Sequence, residues 1–137
     1  TWNPKYFDWP GFEGHSQATQ ADPIMMEWST NSRKPCVGDR AYRIRLGDTE
    51  DPGIIAAGRI ESEPFEAKHW DPRRVDSGQS CWYVKVAMEH VDETPLISRD
   101  ELNEIFGNRQ MWSPFSSGIR IIEDVAEELV PLLDGRM

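Results

Sequence analysis

Three short segments carry side chains suited to holding a flat, polar ring: "EWSTN" (27–31), "KHWDP" (68–72) and "MWSPFSSG" (111–118). In each, a tryptophan stands beside small polar residues. An aromatic face stacks on a nucleobase for about 1–3 kcal/mol, whatever the base. Hydroxyl and amide groups next to it can then bond the edge of the stacked ring. Trp28, Trp70 and Trp112 are therefore candidate stacking residues. Ser29, Thr30, Asn31, Ser113, Ser116 and Ser117 are the candidate edge contacts. An indole in a loop also packs readily on the rim of a core, so each tryptophan taken alone fits either role. Trp82 and Tyr83 are neighbours in an apparent strand, which sends one ring inward and the other outward.

The second cluster is basic. Between 33 and 45, Arg33, Lys34, Arg40, Arg43 and Arg45 face a single acidic residue, Asp39. The chain as a whole carries a net charge of −9, which argues against a general polyanion binder. The imbalance is local: residues 1–86 carry 11 Lys/Arg against 13 Asp/Glu, and residues 87–137 carry 4 against 11. Such a patch can hold phosphates while the far side stays acidic, or it can be a solvated strand face.

Catalytic patterns are weak. His15, His69 and His90 fall at unrelated spacings, and no zinc-protease, nucleophile-elbow or P-loop signature is present. Cys36 and Cys81 have no metal-ligand spacing. Either could pair with His69 in a small-molecule-binding or hydrolytic domain, but any chain with these residue counts permits that. Two free thiols suit a reducing cytosol. No apolar run is long enough to span a membrane. No cofactor, metal or catalytic residue is expected.

The elements that must position these groups follow from pattern. At 137 residues the chain is one domain's worth, 1–137. The first 25 residues are an irregular aromatic arm with a short helix at 13–19. "IMMEW", "RAYRIRL", "IIAAGRIES" and "CWYVKVAMEHV" are strands. In the second, Ala41, Arg43 and Arg45 share one face, opposite Tyr42, Ile44 and Leu46. Gly58 inside the third implies a bulge or a close backbone approach. "GDTEDPG" is a loop, and "EPFEAKHWDPRRVDSGQS" is a long connection of the kind that tends to be functional. Ser98 with Glu101 forms a capping box, and Gly107 ends the helix it opens. Ile122, Val125, Ala126, Leu129 and Leu133 share a face of a last helix, which Pro131 should distort. Strands first and helices late indicate an α+β fold: a small barrel of mostly antiparallel strands with peripheral helices.

Taken together, "WSTNSRK", "GDRAYRIRLG", "GIIAAGRIESEPFE", "HW" and "WSPFSSG" resemble the EVE domain of the PUA-like superfamily. More narrowly, they resemble the EVE-like domain at the amino terminus of HNH-type, modification-dependent restriction endonucleases. The resemblance runs from about Trp2 to Leu133 and implies a PUA-like pseudo-barrel. It implies a reader of 5-methylcytosine or 5-hydroxymethylcytosine in DNA, with the base flipped into an aromatic pocket. On that footing Trp28 stacks on the base and Trp112 or Trp70 closes the other side. Ser29, Asn31 and Ser117 touch the base edge, with Thr30, Ser113, Ser116 and Gly118 in the same loops and Asp39 a weaker candidate whose turn role competes. Arg33, Lys34, Arg43 and Arg45 would hold the flanking phosphates. The resemblance further implies a prokaryotic cytoplasmic protein and a fused HNH nuclease absent from this chain. A start at Thr1 fits an excised reader. A reader of modified RNA and a protein-interaction module using the acidic half are the rival expectations.

Overall fold

The computed structural model describes residues 1–5, 9, 12–47, 51–114 and 116–137. Parts of the aromatic arm, the centre of the "GDTEDPG" loop and Phe115 lie outside them.

The chain is α+β, built on one six-stranded antiparallel sheet. In chain order its elements are α1 (Phe12–His15), β1 (Ile24–Ser29), β2 (Arg40–Arg45), β3 (Gly53–Ile60), β4 (Phe65–Lys68), α2 (Pro72–Asp76), β5 (Ser80–Val91), β6 (Ile97–Ser98), α3 (Arg99–Phe106) and α4 (Glu123–Asp134). A 3₁₀ turn at Gly107–Arg109 follows α3. Strands β1, β5, β3 and β2 are neighbours in that order.

β5 organises the sheet because it is long. Along one edge it pairs with β1, from Ile24↔Met88 to Ser29↔Tyr83. It pairs with β3 from Ala56↔Val91 to Ile60↔Val86, and then with β4 from Phe65↔Tyr83 to Lys68↔Ser80. The long connection expected after β3 therefore resumes the sheet. Glu61 N–H still donates to the Lys85 carbonyl at 2.8 Å; Pro64 has no N–H to donate, and the chain leaves the ladder at 62–64 before rejoining it as β4. Gly58 behaves as expected: the β3–β5 register shifts between Ala57 and Gly58, and a Cβ there would collide with the carbonyl oxygen of Ala87.

Both faces of the sheet are covered. On one face the arm folds back, so that Trp2, Trp9 and Trp28 pack with Ile55, Val84, Val86 and Met88. Trp2 and Trp9 meet edge to face, with ring centroids 5.2 Å apart. Trp2 also bridges to the outer edge of β2: its N–H donates to the Ile44 carbonyl at 2.8 Å, and its own carbonyl accepts from Leu46 N–H at 2.8 Å. On the other face Leu102, Phe106, Val125, Leu129 and Leu133 from α3 and α4 pack on Ile44, Ile54 and Ala57.

The helices follow their sequence signals with two differences. Ser98 Oγ accepts from Glu101 N–H at 3.1 Å, and Gly107 follows the last turn of α3 at φ 56°. α1 is a single turn rather than 13–19, because Thr19 turns the chain by accepting from Asp22 N–H at 3.0 Å. α4 runs through Pro131 and ends three residues later at Asp134. Ile122 caps α4 and is exposed rather than on its buried face. Much of the acidic half is tied down by arginines: Arg40 to Asp134, Arg109 to Asp124 and Glu128, and Arg136 to Glu101. Among the described residues no helix is long and apolar enough to cross a membrane.

Replacing Gly58 with alanine is expected to destabilise the fold by roughly 1–3 kcal/mol, because the bulge must shift to admit a methyl group. Denaturant unfolding would measure it; an unchanged midpoint would contradict the close approach.

Candidate functional site

Two loops that are distant in sequence meet at the end of β1. Thr30 leaves the strand and turns inward. Its buried hydroxyl donates to the Ser32 carbonyl at 2.8 Å and accepts from Ser32 N–H at 3.1 Å. Asn31 N–H donates to the Ser117 carbonyl at 3.0 Å. The Thr1 and Ser117 hydroxyls lie 3.1 Å apart. Gly118 makes this docking feasible: it sits at φ +87°, and a Cβ on it would collide with Thr30 Oγ1. The "WSTN" and "SSG" segments are thus brought side by side.

Beneath this junction opens a cleft of about 380 Å³, within the roughly 300–1,000 Å³ usual for small-ligand sites. Ser29, Asn31, Ser116 and Ser117 contribute its polar lining. Across from them stand His69, Trp70 and Arg74, carried by the end of β4 and by α2. Tyr83 lies between, flanked by Ser29 of β1 and Phe65 of β4.

Of the three candidate tryptophans, Trp70 lines the cleft and the other two do not. Trp28 is 7% exposed and belongs to the core cluster under the arm, not to the cleft. In β1 it alternates with Ser29, so the two side chains leave the strand on opposite faces. Trp112 is 6% exposed and packs on Phe106, with centroids 5.7 Å apart. It lines a separate cavity of about 80 Å³ beside Ile54 and Pro114. Trp70 remains: it is 41% exposed and stands in the cleft wall, its ring 5.1 Å from that of His69.

The expected phosphate set divides. Arg33 and Lys34 are exposed just beyond Asn31, and Arg33 lies 4.3 Å over the ring of Trp82. Arg43 and Arg45 are each only 7% exposed, because the arm covers the face of β2 they occupy. Arg45 Nη2 donates to the carbonyls of Asp51 and Glu93, both at 2.9 Å, and serves as a loop tie. Arg43 lies over two indoles, 4.8 Å from the Trp9 centroid and 4.6 Å from that of Trp28, and lines the cleft. Neither is free to reach a phosphate backbone. Asp39 holds its own turn, accepting from Cys36 N–H at 2.9 Å, and lies outside the cleft. Ser113 is also outside it, 3.4 Å from Arg99 Nη1.

Sequence reasoning missed His69, Arg74 and Tyr83 as site residues. The signal for the first two was present in "HWDPRR". An aspartate before proline opens a helix, and Asp71 does cap α2, accepting from Arg73 N–H at 3.0 Å. His69 Nδ1 accepts from Asp71 N–H at 3.0 Å, so the proton of the neutral ring sits on Nε2. Arg73 also bonds the Asp71 carboxylate, leaving Arg74 as the arginine of α2 that faces the cleft. Tyr83 OH donates to the Lys68 carbonyl at 2.7 Å, which locks its ring, and burial is the main cause pushing its pKa up to about 12. Cys81 also lines the cleft; burial raises its thiol, opposite to what a thiolate nucleophile requires. Among the described residues no group of three or more His, Cys, Asp or Glu could hold a metal ion.

Two outcomes follow from this geometry. Gly118→Ala is expected to cost roughly 1–3 kcal/mol through strain and collision and to expose the Asn31 amide to hydrogen exchange. The Asp71 carboxyl is held below its ordinary value, chiefly by its bond to the Arg73 side chain. Its stabilising effect is therefore complete above the unfolded aspartate value and disappears as pH falls through the lower folded one. Asp71→Asn should reduce amide protection at 73–76 at neutral pH, a loss the unaltered protein shows only in acid.

No protein family matches the chain, and no match was found among curated proteins or among solved structures.

Proposed function

We propose that this chain recognises a modified cytosine, 5-methylcytosine or 5-hydroxymethylcytosine, in DNA by taking the flipped base into the cleft. The observation that carries this reading is the cleft itself: one large hollow bounded by an exposed indole, a locked phenol ring, and the hydroxyl and amide groups of two docked loops. Stacking on Trp70 and packing against Tyr83 would offset the few kcal/mol lost when a base leaves the helix. Ser29, Asn31 and Ser117 would bond its edge. Arg74, with Arg33 and Lys34 on the neighbouring loop, would hold the flanking phosphates. A methyl group adds only about 0.8 kcal/mol on burial, so the shape of the cleft must supply the rest of the preference.

The same reading takes the six-stranded sheet, with Trp2 bridging the edge of β2, as part of a PUA-like pseudo-barrel. It treats the chain as the specificity part of a modification-dependent restriction endonuclease whose HNH nuclease lies elsewhere. It assigns no catalysis to this chain. The raised Cys81 thiol supports that assignment.

The test is a titration of matched duplexes, with and without one modified cytosine, at two salt concentrations. The modified duplex should bind more tightly. Trp70→Ala should remove roughly 1–3 kcal/mol of affinity and most of the preference. Arg74→Ala should weaken both duplexes alike and lower the salt slope by about one. Equal binding of the two duplexes would overturn the reading; tighter binding of a matched methylated RNA would move it to RNA.

A further inference from the structure

The cleft wall contains a buried cation without an anion. The Arg43 side chain forms no hydrogen bond or ion pair among the described residues, and its Nη1 is fully buried with no acceptor. The other buried or half-buried arginines each have a side-chain partner: Arg45 donates through Nη2 to two loop carbonyls although its Nε is also unpartnered, Arg59 pairs with Glu89, Arg40 with Asp134, and Arg99 reaches the Ser113 hydroxyl. Arg43 has only the faces of Trp9 and Trp28. Burial pulls its pKa down to about 9, so at neutral pH it is still a cation. A guanidinium offers five N–H donors in a rigid fork and no acceptor. Such a group, in the lining of a cleft, requires acceptors that the protein itself does not provide.

We propose that Arg43 reads the Watson–Crick edge of the captured base and selects cytosine over thymine. This rests on the base-capture reading above. Cytosine presents two adjacent acceptors, N3 and O2, which match two parallel N–H groups of the fork. Thymine carries N3–H at the same place, so a donor would face a donor and the guanidinium would remain unsatisfied. The 5-methyl group cannot make this distinction, because thymine and 5-methylcytosine share it. Arg43 therefore separates a methylated cytosine from its deamination product, while the shape of the cleft handles the methyl group. The fit is set in advance: the two indoles hold the fork, so no flexible side chain has to be ordered on binding.

The experiment compares three duplexes of one sequence, with 5-methylcytosine, cytosine or thymine opposite the same guanine. The thymine–guanine mismatch flips most easily, so it favours the competitor. The unaltered protein should still prefer 5-methylcytosine to thymine by roughly tenfold or more. Equal or tighter binding of the mismatch overturns the proposal. Arg43→Met should bring that ratio close to one without lowering the thermal midpoint, since it removes an unpaired buried charge. A purely structural arginine would instead lower the midpoint and weaken all three duplexes in proportion. Arg43→Lys provides the decisive arm should the methionine variant fail to fold: it keeps the charge over the indoles but loses the fork. A folded lysine variant that retains the full ratio overturns the proposal; collapse of the ratio supports it. If the unaltered protein does not separate 5-methylcytosine from cytosine, the base-capture reading fails first, and this inference with it.

Discussion

The length of one strand governs the rest of the molecule. β5 has 12 residues, enough for β1 on one edge and for β3 and then β4 on the other. Its far end, beyond β3, supports β1 and β4 together, and Tyr83 is paired from both sides there. That is where the cleft opens. A shorter β5 would leave β4 unpaired, and with it the His69–Trp70–Arg74 wall. The backbone hydrogen bonds of a central strand are among the last to open in a folded domain, so the floor of the cleft is anchored in the most protected part of the sheet. The site thus combines a rigid floor with walls made from loops.

A second constraint is electrostatic. The chain is strongly acidic, and several of its described arginines are paired internally. Arg40, Arg109 and Arg136 tie the acidic helices to the body, and Arg45 is committed to loop carbonyls. Exposed cations do border the cleft, Arg33 and Lys34 on the loop after β1 and Arg74 on α2, while Lys68, Lys85 and Arg120 are exposed elsewhere. The net charge of −9 opposes general binding of a polyanion. An arrangement of this kind favours one docking orientation over tight general binding.

Much of this was legible in the sequence. The four longer strands, the capping box at Ser98 and the bulge at Gly58 followed from alternation, spacing and a glycine within a strand. The docking of "WSTN" against "SSG" was anticipated only by resemblance, and it depends on a positive φ at Gly118 that no pattern announces. The fates of Trp28 and Arg43 were not legible, for one shared reason. Period-two alternation shows which residues share a face, but not what covers that face. The aromatic arm covers it, and an arm without periodicity gives no sign of where it folds. Strand β4 was missed because four residues inside a long connection carry too little pattern; its existence depends on the spare length of β5. Trp112 was misread because a tryptophan among serines has the same composition whether it faces a ligand or a helix.

The closure of the cleft spans nearly the whole chain. Thr1 meets Ser117 across 116 residues of sequence, and Asn31 meets the same serine from the end of β1. Contacts of such separation form late, after most of the loop-closure entropy has already been lost. The cleft is consequently absent from any partly folded form: a nascent or damaged chain can present the sheet, yet it has no closed mouth until Thr1 and Asn31 have both reached Ser117.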